Sequence, residues 1–328
     1  MPVSFKGWVS EFGENLKESP SIAMMQFLYC IYLGMWFTVT SRVEIGENIF
    51  DHDWDLLVIL DACRVDALRE VASEYEWLEA EEIDAKYSLA SGSFEFMCKT
   101  FTTEYLDEIN DTAYLSGNAF VEKAFINETY APSVSVPFGW PKDNVVTESD
   151  FGRLETLWKY HHDDDIGTTP PEPATNEAIT IGRESDNSRY ILHYNQPHDP
   201  YIPDPINEDR PATDVERKPL KMLKRGEITR AEAWEMYLDN LRFVLDEVEM
   251  LLENFDADRV LITADHGESF GEFGVHRHPT GWPHPVVKKV PWFYTTASDE
   301  WTREPSIDRT QDQDRDVDGL LRSLGYKT

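Results

Sequence analysis

Asp265 and His266 stand side by side where the apolar run 259–264 gives out, and Gly267 follows them. A strand ending there loses its pleat, so a carboxylate and an imidazole can turn toward one point while glycine lets the backbone bend beneath them. Those two donor types suit a divalent cation such as zinc, manganese, calcium or magnesium. Asp61 closes a second apolar run, 54–60, in the same way. A carboxylate at the end of a buried strand is costly unless a cation or several donors meet it. Its other reading is an N-cap for a helix beginning at Arg64. Together Asp61, Asp265 and His266 offer three ligands to one ion.

A third group lies at 193–201, where His193, His198 and Asp199 sit just past a strand at 190–194 and Pro197 and Pro200 stiffen the loop. Such a loop can present His198 to an anionic substrate or supply ligands to a second ion, and Asp199 can equally cap a turn. Arg64, one turn past Asp61, can hold an anionic oxygen or join a salt bridge, and Lys99 has the same two readings. Cys63 reads as a small buried residue rather than a nucleophile. His161 and His162, in an acidic stretch, read as solvated surface, and Trp282 and His284 as the mouth of a pocket.

The elements that must carry these residues alternate in type. Strands are expected at 54–61, up to Ala90, at 190–194 and at 259–265, with helices from Arg64 to Tyr75, from Ser93 onward and across 229–253, where Leu238, Leu241, Val244, Leu245, Val248, Leu251 and Leu252 mark one face. This alternation predicts an α/β fold, a mostly parallel sheet with helices on both faces, and ligand sites beyond the carboxyl ends of its strands. The polar stretches 150–189 and 203–228 are expected as an insertion or long loops. The division is an N-terminal helical segment, 1–45, and a catalytic domain, 46–328.

The charge bounds the partners. Sixty-two acidic against 30 basic residues in 328 give a net charge of −32, which repels phosphate backbones and argues against nucleic acid. Acidity spread through the whole chain is a composition of haloarchaeal type, suited to molar salt. Three cysteines are too few for a disulfide framework, and reduced thiols point to the cytoplasm. Residues 22–40 carry no charge, long enough for a membrane span, yet Gln26, Tyr29, Tyr32, Thr38 and Thr40 dilute them. The three readings are a helix packed on the domain, an interfacial helix making peripheral membrane contact, and a true span; the glutamates ahead of the segment do not suit a signal peptide.

At Val58-Ile59-Leu60-Asp61, 193–201, 237–252 with Asn240, and Asp265-His266-Gly267-Glu268 followed by His276 and His278, the sequence resembles the alkaline phosphatase/sulfatase superfamily, specifically its sulfatase-like hydrolases. Val290-Pro291-Trp292 and 320–326 (Leu320 to Tyr326) are similar to the family's closing segment. The resemblance implies a metal-bound site at the carboxyl edge of the sheet. Asp61 matches the first metal-binding acid, and Asp265 with His266 the later pair. His198 and His278 match histidines that touch the ester or a second ion, with His276 as a substitute. Such chemistry needs a cation because sulfate and phosphate esters are anions that repel a nucleophile.

The nucleophile departs from the sulfatase pattern, since none of Cys63, Cys98, Ser91 or Ser93 lies in a Cys/Ser-x-Pro-x-Arg setting for formylglycine. Phosphatase and phosphotransferase branches use an unmodified Ser or Thr at a helix start, where backbone N–H groups favour an oxyanion. Ser93 fits first and Ser91 second, with a plain N-cap as the competing reading. The run at 265–274 also resembles phosphoethanolamine transferases and lipoteichoic-acid synthases. The expected activity is therefore metal-dependent hydrolysis of a sulfate or phosphate ester, glycan- or lipid-linked. Transfer of a phospho-headgroup to a glycan or lipid, and a non-catalytic binding relative, are the alternatives.

Overall fold

The computed structural model describes residues 5–40, 42–127, 144–307, 309, 317 and 319. Two helices that pack on each other come first, α1 (Phe5–Glu18) and α2 (Pro20–Thr40). The α/β body then runs β1 (Leu56–Leu60), α3 (Val65–Val71), β2 (Asp84–Tyr87), α4 (Ser93–Thr100), α5 (Leu106–Asn110), β3 (Thr112–Ser116), β4 (Arg153–Thr156), α6 (Trp158–His161), α7 (Pro171–Glu184) and β5 (Arg189–Tyr194). Three short helices follow, α8 (Pro203–Asn207), α9 (Asp214–Arg217) and α10 (Pro219–Arg225). The long α11 (Arg230–Leu252), β6 (Ala257–Thr263), α12 (Pro285–Lys288) and β7 (Lys289–Ala297) complete it.

The strands form one seven-stranded sheet in the order β2-β7-β6-β1-β5-β3-β4. β4, β3, β5, β1 and β6 are parallel, while β7 runs antiparallel to β6 and β2 antiparallel to β7. All five residues of β1 are buried, as a strand covered on both faces requires. Leu56, Val58 and Leu60 join the layer built with α3, α7 and α11. Leu57 and Ile59 join the opposite layer, with Phe96 and Met97 of α4 and Leu33 and Phe37 of α2. This is the expected mostly parallel sheet with helices on both faces, and α2 contributes to one of its cores.

Two expectations fail. The stretch 150–189 holds β4, α6 and α7, and 203–228 holds α8 to α10. α7 buries Ala174, Ala178, Ile179 and Ile181, a stripe that its Glu, Asn and Thr residues dilute below recognition. Its contacts with α11 and β5 decide its state, tertiary packing outweighing a weak local pattern. His161 is not solvated either: it lies 3.0 Å from the fully buried Glu177, and His162 is buried. The segment 320–326, expected to close the fold, lies outside the described residues. None of the three cysteines is in a disulfide, and all three are buried. Burial shields a thiol in any compartment, so their number alone does not fix the compartment.

The helix α11 begins with the reciprocal cap of Thr229 and Glu232 and carries two buried polar side chains that hold the loops at the sheet edge. Tyr237 donates to Ala62 O at 2.8 Å and accepts from Arg64 N at 3.0 Å. Asn240 accepts from Ile202 N at 3.1 Å and donates to Pro197 O at 3.1 Å and His198 O at 3.2 Å. Replacing Asn240 by Ala leaves these buried backbone groups without partners, at about 1–3 kcal/mol by general mutational experience. Asn240→Ala should therefore unfold at lower temperature than the parent chain in a calorimetric scan, and an unchanged melting curve would refute this role.

Candidate active site

Three strand ends converge. Asp61 directly follows β1, Asp265 and His266 lie two and three residues beyond β6, and Asn118 lies two beyond β3. The backbone turns sharply after Asp61: Ala62 sits in the left-handed region at φ 62°, unusual for a residue with a Cβ. That conformation delivers its N–H to Asp265 Oδ1 at 3.1 Å. The N-cap position of α3 is Arg64, which makes no side-chain capping bond, so the capping reading of Asp61 falls and its carboxylate is left to the site. Gly267 is required by close approach, because a Cβ there would lie 2.2 Å from Val286 O.

Within the group, His266 Nε2 is 3.4 Å from Asp61 Oδ1 and 3.5 Å from Asp265 Oδ2. Its Nδ1 faces Gly267 O at 2.8 Å; a carbonyl only accepts, so Nδ1 carries the proton and Nε2 is directed at the carboxylates. Asn118 donates to Asp61 Oδ2 at 2.9 Å. His193, on β5, places Nε2 3.7 Å from Asp265 Oδ2 while Tyr114 pairs with its Nδ1 at 2.9 Å. The outward serine question is decided by distance: Ser93 Oγ lies 3.4 Å from both Asp61 Oδ2 and His266 Nε2. Ser91 instead donates to Glu95 and accepts from Gly281 N at 2.7 Å, facing away from the trio.

Electrostatics fit a cation between these groups. Asp61 Oδ1, Asp265 Oδ2 and His193 Nε2 are buried with no hydrogen-bond partner, a costly state that a shared ion relieves. Burial, and then the charge of Asp61, push the Asp265 carboxyl up. Burial works the same way on Asp61, but contact with His266 and the potential of His198, His266 and His193 outweigh it and hold that carboxyl well below its usual range. Burial opposes charge on His266, yet Asp265 and Asp61 push it up to about 10. Since a metal takes the neutral ring, binding at Nε2 would release the second ring proton and leave the one on Nδ1. Asp61, Asp265 and His266, with His193 beside them and Ser93 Oγ as a further oxygen, are the residues fit to hold a divalent ion.

A second buried group of possible metal ligands, His198, Glu268 and His278, lies alongside. His278 Nδ1 is 3.1 Å from Glu268 Oε2, and its ring centre is 4.2 Å from that of His266. Burial pushes Glu268 up and His278 well below its ordinary value. Arg277, at φ 67°, reaches Asp199 Oδ1 at 3.0 Å and His198 Nε2 at 3.4 Å.

Other expectations need correction. Arg64 is held by Asp66 at 2.5 Å, by Glu272 at 2.8 Å and by Glu268 O, and lies over Trp234. Four of its five N–H groups are engaged in this network, an arrangement that favours the salt-bridge reading. Lys99 is likewise paired, 2.6 Å from Glu95. His276 belongs to neither group; it forms an antiparallel bridge with Phe270, and its ring lies against Gly271. Cys63 is buried and its thiol pushed up by desolvation, which suits a packing residue. Trp282 and His284 stack at 4.8 Å beside the exposed Phe273. The sequence reading assigned no role to Asn118 or Arg277. Asn118 lies on a strand end too short to recognise, and only its adjacency to the His276–His278 run marked Arg277.

No family model matches the chain, and comparison with curated proteins gives no match. Solved structures similar to it include the C-terminal periplasmic domain of the phosphoethanolamine transferase EptC from Campylobacter jejuni, 14% identical over 77% of this chain and 83% of that one, TM-score 0.44. A putative sulfatase from Bacteroides thetaiotaomicron is 13% identical over 83% of this chain and 71% of that one, TM-score 0.38. A protein in the alkaline phosphatase superfamily from Vibrio parahaemolyticus is 11% identical over 84% and 70%, TM-score 0.36.

The geometry makes a prediction about metal content. Asp265→Asn and His266→Ala should each lower the metal bound per chain after dialysis at least about tenfold, the scale seen when ligand shells are disturbed, whereas Arg64→Lys should not. Elemental analysis reads this directly, and metal retained by both ligand variants would remove the basis of the site.

Proposed function

We propose that the protein cleaves a phosphate or sulfate ester at a metal centre held by Asp61, Asp265 and His266, with Ser93 as the nucleophile. The observation that carries this reading is the 3.4 Å approach of Ser93 Oγ to both Asp61 and His266. Ser93 opens α4, so the N–H groups of the first turn are oriented toward an anion on the same side. A divalent ion, when bound, offsets substrate charge and lowers the pKa of the hydroxyl it touches.

In the step, Ser93 Oγ passes its proton to Asp61 Oδ2 and forms a bond to phosphorus or sulfur, the ester oxygen leaves with the bonding pair and takes up a proton, and water or an acceptor alcohol then displaces Ser93 Oγ, which regains its own. His278, whose ring lies 3.6 Å from where a side chain on Gly92 would begin, and His198, whose ring centre is 5.1 Å from that of His278, offer ring N–H groups to the non-bridging oxygens. Arg277, directed at His198, adds positive charge to the same oxygens. The absence of a formylglycine setting around Ser93 supports phosphorus over sulfur. The buried position of Ser93 beside the candidate ligands supports catalysis over binding alone.

A second reading, transfer to an alcohol on a glycan or lipid, is supported by the contact of the apolar α2 with the loop that follows His278: Tyr29 and Tyr32 donate to Thr280 O at 2.6 Å and Gly281 O at 2.5 Å. An anionic ester linked to a lipid or glycan is the substrate class of both readings, and the net charge of −32 still argues against nucleic acid.

Ser93→Ala should lower ester turnover by more than about a thousandfold, the order expected for loss of a nucleophile, while retaining bound metal. Turnover that survives this substitution would overturn the role of Ser93. Adding an alcohol acceptor separates the two readings: an adduct formed in preference to the free acid identifies transfer, and free acid alone identifies hydrolysis.

A further inference from the structure

The exposed apolar surface is concentrated in one place. Among the described residues fourteen large apolar side chains are exposed, and nine of them fall within residues 9–45. On α2 they are Met24 (50% exposed), Met25 (68%), Leu28 (58%), Met35 (53%) and Val39 (53%). No Asp, Glu, Lys or Arg occurs from Pro20 to Thr40. A protein partner normally meets a polar rim around its apolar contact, and this face has no charged rim within the helix. Its uncharged length, Ala23–Thr40, instead matches what a bilayer accepts.

The opposite face of α2 decides how it can meet that bilayer. Ala23, Cys30, Leu33 and Phe37 are buried. Tyr29 and Tyr32 hold the 280–281 backbone, and Trp36 Nε1 reaches Glu95 Oε1 at 3.2 Å. Gly281 is shaped to this contact: its φ is 74°, and a Cβ would lie 2.8 Å from Leu33 Cδ2. The polar catalytic body is thus docked along the middle turns of the helix. A span would drag that body into hydrocarbon, where its backbone and charges go unsatisfied. A helix lying along the surface buries only the outward face.

We propose that α2 lies flat on a lipid bilayer, with Met24, Met25, Leu28, Met35 and Val39 in the acyl boundary and its inner face holding the 278–281 loop of the site. The same inner face reaches the nucleophile's turn: Glu95, which takes Trp36, also accepts from Ser91 N at 2.9 Å, two residues before Ser93. Seating α2 therefore sets the depth of the reaction centre relative to the lipid headgroups. The consequence that the ester is lipid-linked rests on the activity proposed above, whereas the membrane contact stands on the helix alone.

The test uses the full chain and vesicles of phosphatidylcholine in molar salt, which screens the net negative charge. The parent protein should float with the vesicles. The double variant Met25→Glu, Leu28→Glu should float at least about tenfold less, since charges on the immersed face oppose insertion, while keeping its metal and its turnover of a soluble aryl ester. A parent protein that stays out of the lipid fraction, or a double variant that floats equally, overturns the inference. So does a dimer that the two substitutions abolish without any flotation, which would make the face a contact between copies. Flotation that is lost in the variant when neither protein turns over ester leaves the membrane contact standing and sinks the activity instead.

Discussion

Two carboxylates, Asp61 and Asp265, are buried against the same imidazole, and the rest of the site is arranged around the cost of keeping them there. Removing an anion from water is expensive, and two together are worse unless positive charge or oriented donors face both. The protein meets part of this cost itself. Ala62 N and His266 N serve one oxygen of Asp265, Asn118 serves one oxygen of Asp61, and His266 lies between them. One oxygen of each acid is left without a donor, and those two oxygens and His266 Nε2 face a common point. A charge arrangement of this kind stabilises nothing by itself; its value lies in what it binds.

Holding such a cluster requires rigid supports that are not themselves ligands. The turn after Asp61 is clamped by Tyr237, the loop bearing His198 by Asn240, and both come from α11, whose apolar face is locked into the core. The turn before Ser93 is clamped from the other side by Glu95, which gathers Ser91, Lys99 and Trp36. Glu95 is buried among these donors; burial alone would raise its carboxyl, yet Lys99 and Lys288 bring it down to about 2. The serine, from the start of α4, and the acids, from the ends of β1 and β6, thus meet with the turns around them held by buried polar side chains. The same network extends to α2, which carries five of the fourteen large apolar side chains exposed among the described residues.

Much of this was legible in the chain. Apolar runs ending in acids located β1 and β6, and the periodic Leu and Val residues of 238–252 located α11, because strong burial on both faces of a strand or one face of a long helix leaves an unmistakable pattern. Asp61, Asp265, His266, Ser93, His198 and His278 could be singled out because they follow such elements. The elements that were missed include β3, β4 and α7, which are short or diluted with polar residues, and β7, whose antiparallel place between β6 and β2 depends on neighbours distant in sequence. Arg64 and His276 were candidates by type and position, yet Arg64 is engaged by Asp66 and Glu272 and His276 bridges to Phe270, partners that sequence order does not reveal.

By itself, then, the sequence determined which residues can carry charge, bind a cation or attack an ester, and which strands must be buried, since these follow from side-chain chemistry and local periodicity. Only the tertiary structure decided that Ser93 and not Ser91 meets the acids, that Asn118, His193 and Arg277 join the site, and that α2 lies against the loop after His278. Each of those outcomes depends on the register and crossing of elements brought together by β1 pairing with β5 and β6. Such distances are set by the packing of the whole core, which no local stretch of sequence encodes.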